Sequence, residues 1–198
     1  MIYTMDTYYY CKSDWPYTTA IDPTYGDYLR CPVCGRPVSM CCWQPPWKVR
    51  VTGNRYPDYI PFYAGHDLVI TQKVKDIYRK SFLTGISTFN PMEVTNAKSY
   101  CPQYYEAVID FQEADIDYRK SEFHAHRTDH RCTLCNPKGI FLQDIKSLVF
   151  EKGFEPKSDV FHIYGYGHTV FFSEKFVRVF EKEISDFKFI GTENHNFF

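Results

Sequence analysis

The chain has 198 residues, of which 44% are hydrophobic and 24% are charged, so it is long enough to bury a core and has a globular composition. Its 23 basic and 24 acidic residues give a net charge of -1, which argues against a general electrostatic attraction to nucleic acids or anionic membranes. No window approaches the run of about 18 apolar residues that spans a bilayer, and the first residues lack a signal-peptide pattern. We therefore expect a cytoplasmic protein without a membrane partner.

The N-terminal segment is rich in aromatic residues, which make up 19% of the whole chain. Tyrosines on strands usually pack their rings inward, which favours a β-rich protein. Tyrosine and tryptophan also supply large contact areas in protein interfaces, so an aromatic binding surface is the alternative. The candidates for that surface are Tyr9, Tyr10 and Trp15, together with Trp43 and Trp47 further along the chain.

Two matching turns contain four of the eight cysteines: Cys31 and Cys34 in RCPVCG, and Cys132 and Cys135 in RCTLCN. A two-residue spacer lets both thiolates of a turn face one cation, and two such turns complete a tetrahedral site with no open position for substrate. We predict one structural zinc ion on these four residues. After each second cysteine, Gly35 and Asn136 suit the left-handed backbone that such a turn often needs.

Other residues near these turns compete as metal ligands. A histidine or a neighbouring cysteine would replace a thiol or form a second site, whereas buried free cysteines commonly act as small apolar side chains. The competing ligands are Cys41, Cys42, His124, His126 and His130, and we assign Cys11 and Cys101 to the core.

A second motif recurs at nearly the same separation. The segments 65–80 and 167–182 align without a gap at an offset of 102, while the cysteine turns align at 101. Each segment predicts a short buried strand, an N-cap hydroxyl at Thr71 or Ser173, a helix and a further strand. The predicted helical stripes are Val74, Ile77, Tyr78 and Phe82 in the first copy, and Phe176, Val179, Phe180 and Ile184 in the second.

Between the copies, Tyr105 to Phe111 alternates with a period of two and predicts a strand. We therefore expect an α+β fold in which a strand-helix-strand module is duplicated and two zinc knuckles share one four-cysteine site. The whole chain, 1–198, would form one domain with pseudo-repeats at roughly 25–95 and 126–198, joined by a β segment around 103–120.

The histidines at the start of the repeated segments, His66 and His168, follow a glycine in each copy and are predicted to fix a turn. The sequence contains no GxSxG, HExxH, P-loop or GxGxxG motif, so we predict no enzymatic activity. A catalytic zinc on three ligands is the enzymatic alternative.

The two cysteine turns and the segment 159–189, which contains FSEKF at 172–176, resemble the double-CxxCG motif family and the bacterial immunity proteins encoded beside polymorphic toxins. The chain departs from the family pattern at Asn136, where the family has glycine. The resemblance implies a non-enzymatic immunity protein that binds and neutralises a cognate toxin domain during competition between bacteria.

The surface that would bind the toxin is predicted from composition. An acidic run fits the basic cleft of a toxin that acts on nucleic acids. The rival interpretation is a zinc-knuckle protein that binds nucleic acid through stacked aromatic rings, with modest basic clusters at Lys48, Arg50 and Arg55 and at 124–131. The acidic candidates for toxin binding are Glu106, Asp110, Glu113, Asp115 and Asp117.

Overall fold

The computed structural model describes residues 9–12, 18–51, 55–61, 68–167 and 169–192. These residues form two short helices and a larger number of strands, which confirms the α+β class, and neither helix is long and apolar enough to cross a membrane. The helices are α1 (Gln72–Lys80) and α2 (Glu174–Glu183). The strands are β1 (Tyr9–Lys12), β2 (Thr18–Ala20), β3 (Thr24–Arg30), β4 (Pro37–Gln44), β5 (Lys48–Val51), β6 (Tyr59–Pro61), β7 (Leu68–Thr71), β8 (Ile86–Val94), β9 (Tyr104–Ile109), β10 (Phe111–Gln112), β11 (Glu122–Arg127), β12 (Ile140–Ser147), β13 (Val160–Ile163), β14 (Phe171–Phe172) and β15 (Lys188–Gly191).

Both repeated segments form strand-helix-strand units, as predicted. The first unit, β7-α1-β8, belongs to a six-stranded sheet of order β2-β5-β8-β9-β7-β6, in which β9 runs antiparallel between β7 and β8. The second unit, β14-α2-β15, belongs to a five-stranded sheet of order β10-β13-β14-β1-β15, in which β1 runs antiparallel between β14 and β15. Each unit therefore encloses one antiparallel strand, which follows the unit in the first case and comes from the start of the chain in the second.

The two helices begin where the sequence predicts, but only one of the predicted hydroxyl caps forms. Ser173 Oγ accepts a hydrogen bond from the backbone N–H of Phe176, at 3.2 Å. Thr71 occupies the N-cap position of α1, yet its hydroxyl donates to Asp58 Oδ1 at 2.8 Å. The prediction of a Thr71 hydroxyl cap is therefore wrong, because a carboxylate from the loop before β6 binds this hydroxyl.

The predicted apolar stripe of α1 ends one turn early. Val74 and Tyr78 are buried, but the helix stops at Lys80, and Phe82 adopts a positive φ of 50° with 85% of its surface exposed. Placing Phe82 in the core was therefore wrong, because the chain leaves the helix to return as β8. The prediction for the second stripe is more accurate, since Phe176, Phe180 and Ile184 are all buried.

The main core lies between the two sheets and contains one face of each helix. Alternation along β7 and β9 directs Leu68, Ile70 and Ala107 into this core, while Val69 and Tyr104 point into a second cluster on the opposite face. Because β9 is a central strand covered on both faces, Glu106 is buried as well as Ala107. The predicted strand at 105–111 is therefore correct only as far as Ile109, and it is covered on both faces. Phe111 was wrongly included, because the chain breaks at Asp110 and Phe111 begins β10 in the other large sheet.

The remaining strands form two antiparallel hairpins, β3–β4 and β11–β12, each a separate two-stranded sheet. In each hairpin one cysteine turn connects the two strands. The hairpins therefore determine where the four cysteine side chains meet.

Candidate metal centre

The first cysteine turn is closed by two backbone hydrogen bonds. The N–H of Gly35 donates to the carbonyl of Cys31 at 2.8 Å, and the N–H of Cys31 donates to the carbonyl of Arg36 at 2.8 Å. Gly35 has a φ of 74°, as expected for the residue after the second cysteine. The turn brings Cys31 and Cys34 to the same side of the hairpin tip.

The second turn closes in nearly the same way but uses Asn136 differently. The N–H of Asn136 donates to the carbonyl of Cys132, and the N–H of Cys132 donates to the carbonyl of Asn136, both at 3.1 Å. Asn136 does not adopt a positive φ, so that expectation is wrong. Its amide instead donates to the carbonyl of His130 at 3.0 Å and accepts from the N–H of Ile140 at 2.9 Å, which holds the loop in place.

The two turns bring all four sulfur atoms within 4.8 Å of one another, which confirms the predicted cluster. The Sγ atoms of Cys31 and Cys132 lie 3.7 Å apart, and those of Cys34 and Cys135 lie 3.6 Å apart. Four thiolates bound tetrahedrally at about 2.3 Å from zinc lie about 3.8 Å from one another. All four are free cysteines. The sulfur positions thus fit a tetrahedral thiolate site.

The electrostatics of the cluster also favour a cation. Backbone N–H donors of Cys135 and Leu134 lower the pKa of the Cys132 thiol to about 6, so this side chain is a thiolate at neutral pH. Burial and the neighbouring thiols of Cys34 and Cys132 raise the pKa of Cys135. Four thiols this close do not all ionise by themselves, whereas a bound divalent cation offsets their mutual repulsion.

Of the competing ligands, His130 is in contact with the cluster. Its Nε2 is 3.5 Å from Cys34 Sγ, which suits a ring that orients a ligand from outside the metal shell. His124 and His126 lie exposed on β11, and Cys41 and Cys42 lie on β4. Among the described residues, the four predicted cysteines form the single group that meets the distance requirement for a metal site.

A glycine-containing loop after β13 packs closely against both hairpins. A Cβ atom on Gly165 would lie 2.8 Å from the carbonyl oxygen of Cys135, and one on Gly167 would lie 2.0 Å from the carbonyl oxygen of Val38. These contacts leave no space for a side chain at either position. The loop therefore joins the four-cysteine cluster to the five-stranded sheet.

Three of the predicted toxin-binding residues are buried, which corrects their assignment to a surface. Trp43 is 6% exposed and packs in the core on the outer face of the six-stranded sheet. Glu106 is 4% exposed, accepts a hydrogen bond from Asn90 at 3.0 Å, and has its pKa raised by burial. Asp117 is also buried and forms an ion pair with Lys120 at 2.8 Å.

The other predicted partner residues are half-buried, exposed or outside the described part of the chain. Trp47 is half-buried, and its indole N–H donates to the carbonyl of Trp43 at 3.3 Å. Asp110, Glu113 and Asp115 are exposed. Tyr9 and Tyr10 lie on β1, where their backbones pair with Gly191 and Ile190 of β15. Trp15, His66 and His168 lie outside the described residues.

The first hairpin also has an exposed apolar surface that was not predicted from the sequence. Its members are between 41% and 61% exposed, which is unusual for large apolar side chains on one element. A sequence signal was present, because β3 lacks the regular alternation of a half-buried strand. We call these residues the apolar hairpin surface: Tyr25, Tyr28, Leu29, Val33 and Met40.

The sequence matches no protein-family model, and no curated protein shows significant similarity to it. Any assignment of function therefore depends on the chemistry of the metal centre and the exposed surfaces.

Proposed function

We propose that this chain is a non-enzymatic immunity protein, stabilised by one structural zinc ion, that binds and neutralises a cognate antibacterial toxin in the cytoplasm. The observation that carries the proposal is the closed set of four cysteine thiols, with Cys31 and Cys132 only 2% and 5% exposed. Four protein thiolates complete a tetrahedral shell, so such a metal has no position for a substrate or a reactive water. The function then lies on the protein surface.

Zinc is the metal that the donor set favours. Tetrahedral thiolate sites bind zinc or iron, and zinc sites of this kind hold short turns together without redox chemistry. Here the metal would join the tips of two hairpins that are distant in sequence. Removing it would separate the β3–β4 and β11–β12 hairpins rather than abolish a reaction.

The two halves of the chain are proposed to derive from one module. Matching cysteine turns and matching strand-helix-strand units support this proposal, as does the antiparallel strand that each unit encloses. A duplication would explain why one metal site draws two ligands from each half. Superposition of the segments 65–94 and 167–191 on their backbone atoms tests it, and a match of the helices without the flanking strands would contradict it.

The apolar hairpin surface is the best supported toxin-binding site. Its side chains are exposed on a hairpin that belongs to neither large sheet, and clusters of exposed apolar side chains typically mark protein interfaces. An antidote must hold the free toxin at very low concentration, so we expect affinity in the nanomolar range or tighter, with a few central anchors.

Co-expression with the toxin encoded beside this gene tests the proposal. The protein should rescue growth, and the purified pair should co-elute. Tyr25→Ala should weaken binding by about 2 kcal/mol if this ring is a central anchor. Tyr100→Ala, at an exposed tyrosine outside the hairpins, is the matched control and should bind normally. Rescue without any association would contradict the binding mechanism and indicate an enzyme that reverses the damage.

A further inference from the structure

A cleft at the base of the second cysteine turn is lined by three cationic side chains. Arg127 ends β11, Arg131 precedes Cys132, and Lys138 lies in the turn before β12. Together with Thr128 and the backbone of Gly139 they line a cleft of about 550 Å³. Asp129 is the one acidic side chain in the lining.

Within the described part of the chain, these three cations form no ion pair. Several cations elsewhere do have carboxylate partners, such as Lys73 with Asp58 and Lys175 with Asp159. The cleft therefore concentrates unpaired positive charge on a chain whose net charge is -1. Unpaired cations gathered on one surface attract an anionic group.

The second turn also orders one of these side chains. Gly139 has a φ of 64°, and a Cβ atom at this position would lie 2.9 Å from Cγ of Arg131. The stem of Arg131 thus packs over the glycine, which reduces the entropy that its guanidinium would lose on binding an anion.

The cationic cleft adjoins the first hairpin. Ile140 lines this cleft and also a neighbouring cavity of about 290 Å³, which Val38 and Met40 of β4 line as well. Because the tips of both hairpins meet at the cysteine cluster, the cleft and the apolar hairpin surface lie on two elements that are in contact with each other.

We propose that the cationic cleft and the apolar hairpin surface form one docking site for an acidic, apolar segment of a partner protein. Carboxylates of the segment would bind in the cleft, while its apolar side chains would cover Leu29, Val33 and Met40. Protein interfaces combine an apolar centre with a polar rim in this way. A nucleic acid backbone is instead bound mainly by polar contacts to its phosphates and sugars, which exposed aliphatic side chains do not supply. This proposal rests on the proposed function for the identity of the partner, which would be the toxin.

Fluorescence anisotropy with the zinc-loaded protein tests the docking site. The probes are three labelled ligands of equal net charge: a peptide of Glu, Leu and Phe, a peptide of Glu and Ser, and an oligothymidylate. We expect the Glu-Leu-Phe peptide to bind most tightly. Arg127→Glu combined with Lys138→Glu should weaken it by about tenfold or more, because two favourable charges become repulsive.

Lys80→Glu combined with Lys182→Glu is the matched control. It makes the same charge change at exposed lysines in the last turns of α1 and α2, so binding should stay within about twofold, as expected for distant screened charges. Met40→Ser should weaken the Glu-Leu-Phe peptide and leave the Glu-Ser peptide unchanged. Zinc content and melting temperature verify that every variant is folded.

Three results would overturn the docking site: tightest binding of the oligothymidylate, equal loss in the cleft and control variants, or no binding of the Glu-Leu-Phe peptide. Its failure can be separated from that of the proposed function. If the toxin co-elutes equally with the wild type and the cleft variant, the docking site is wrong and the immunity function stands. If the cleft binds the peptide but the protein neither rescues cells nor binds the toxin, the immunity function is wrong.

Discussion

Replacing Gly167 with alanine tests the contact that joins the hairpin of Cys31 and Cys34 to the five-stranded sheet. The new Cβ atom would lie 2.0 Å from the carbonyl oxygen of Val38 and 3.0 Å from its carbonyl carbon. Both are backbone atoms, so the contact cannot be relieved by a change of side-chain rotamer. The β4 strand or the loop after β13 must move by an ångström or more.

The expected cost follows from that overlap. Forcing an extra methyl group into a packed contact lowers the free energy of unfolding by about 1–3 kcal/mol. Because this clash is with backbone atoms, we expect a loss in the upper part of that range, about 2–3 kcal/mol. For a chain of this size, each kcal/mol lowers the melting temperature by about 2–4 °C, so a decrease of about 4–12 °C is expected. Zinc affinity should fall as well, because the movement displaces the hairpin that carries Cys34.

Gly26→Ala is the matched control, because it makes the same substitution on the hairpin that Gly167 contacts. The Cβ atom there would meet the side-chain amide of Gln44 at 2.7 Å, and this flexible, exposed group can move away. Its free energy of unfolding should stay within about 0.5 kcal/mol of the wild type. Urea denaturation of the zinc-loaded proteins and competition with a chelator measure the two effects. Equal stabilities for the two variants would refute the described contact between the loop and the hairpin.

Three further predictions concern the core, the buried carboxylate and the metal ligands. Phe176→Ala should cost about 3–5 kcal/mol by emptying the aromatic core, whereas Phe82→Ala, at an exposed ring, should change stability by less than about 0.5 kcal/mol in thermal melts. Burial raises the pKa of Glu106, so its contribution to stability is present below its ordinary pKa and is lost as the pH rises through the raised value. Glu106→Gln keeps an acceptor for Asn90 and should therefore be more stable than the wild type at neutral pH, with the advantage vanishing in acid in a pH series of unfolding curves. Cys132→Ser should lose the metal in elemental analysis and melt at a lower temperature, and retention of full metal content would contradict its role as a ligand.

The sequence predicted those features that depend on local chemistry. The paired turns could be recognised because their spacing and flanking residues match. That pattern alone predicted that Cys31 and Cys132, which are 101 residues apart in sequence, lie close together. The cap at Ser173 could be predicted because an N-cap hydroxyl bonds within its own turn.

The features that were missed depend on distant parts of the chain. Glu106 is buried because β9 pairs with both β7 and β8, and one strand alone does not show that its second face will be covered. Phe82 lies outside the core because α1 ends at Lys80 and the chain then turns back so that β8 can pair with β9. The exposure of the apolar hairpin surface likewise follows from the separation of β3 and β4 from the large sheets, at which the irregular pattern of β3 only hinted.

The metal content of the purified protein tests the central claim most directly. Elemental analysis combined with X-ray absorption at the zinc edge reports both the number of ions and their ligands. We predict about one zinc per chain, bound by four sulfur atoms at about 2.3 Å. A metal-free protein that is fully folded, or a zinc ion with fewer than four sulfur ligands, would contradict the four-cysteine structural site.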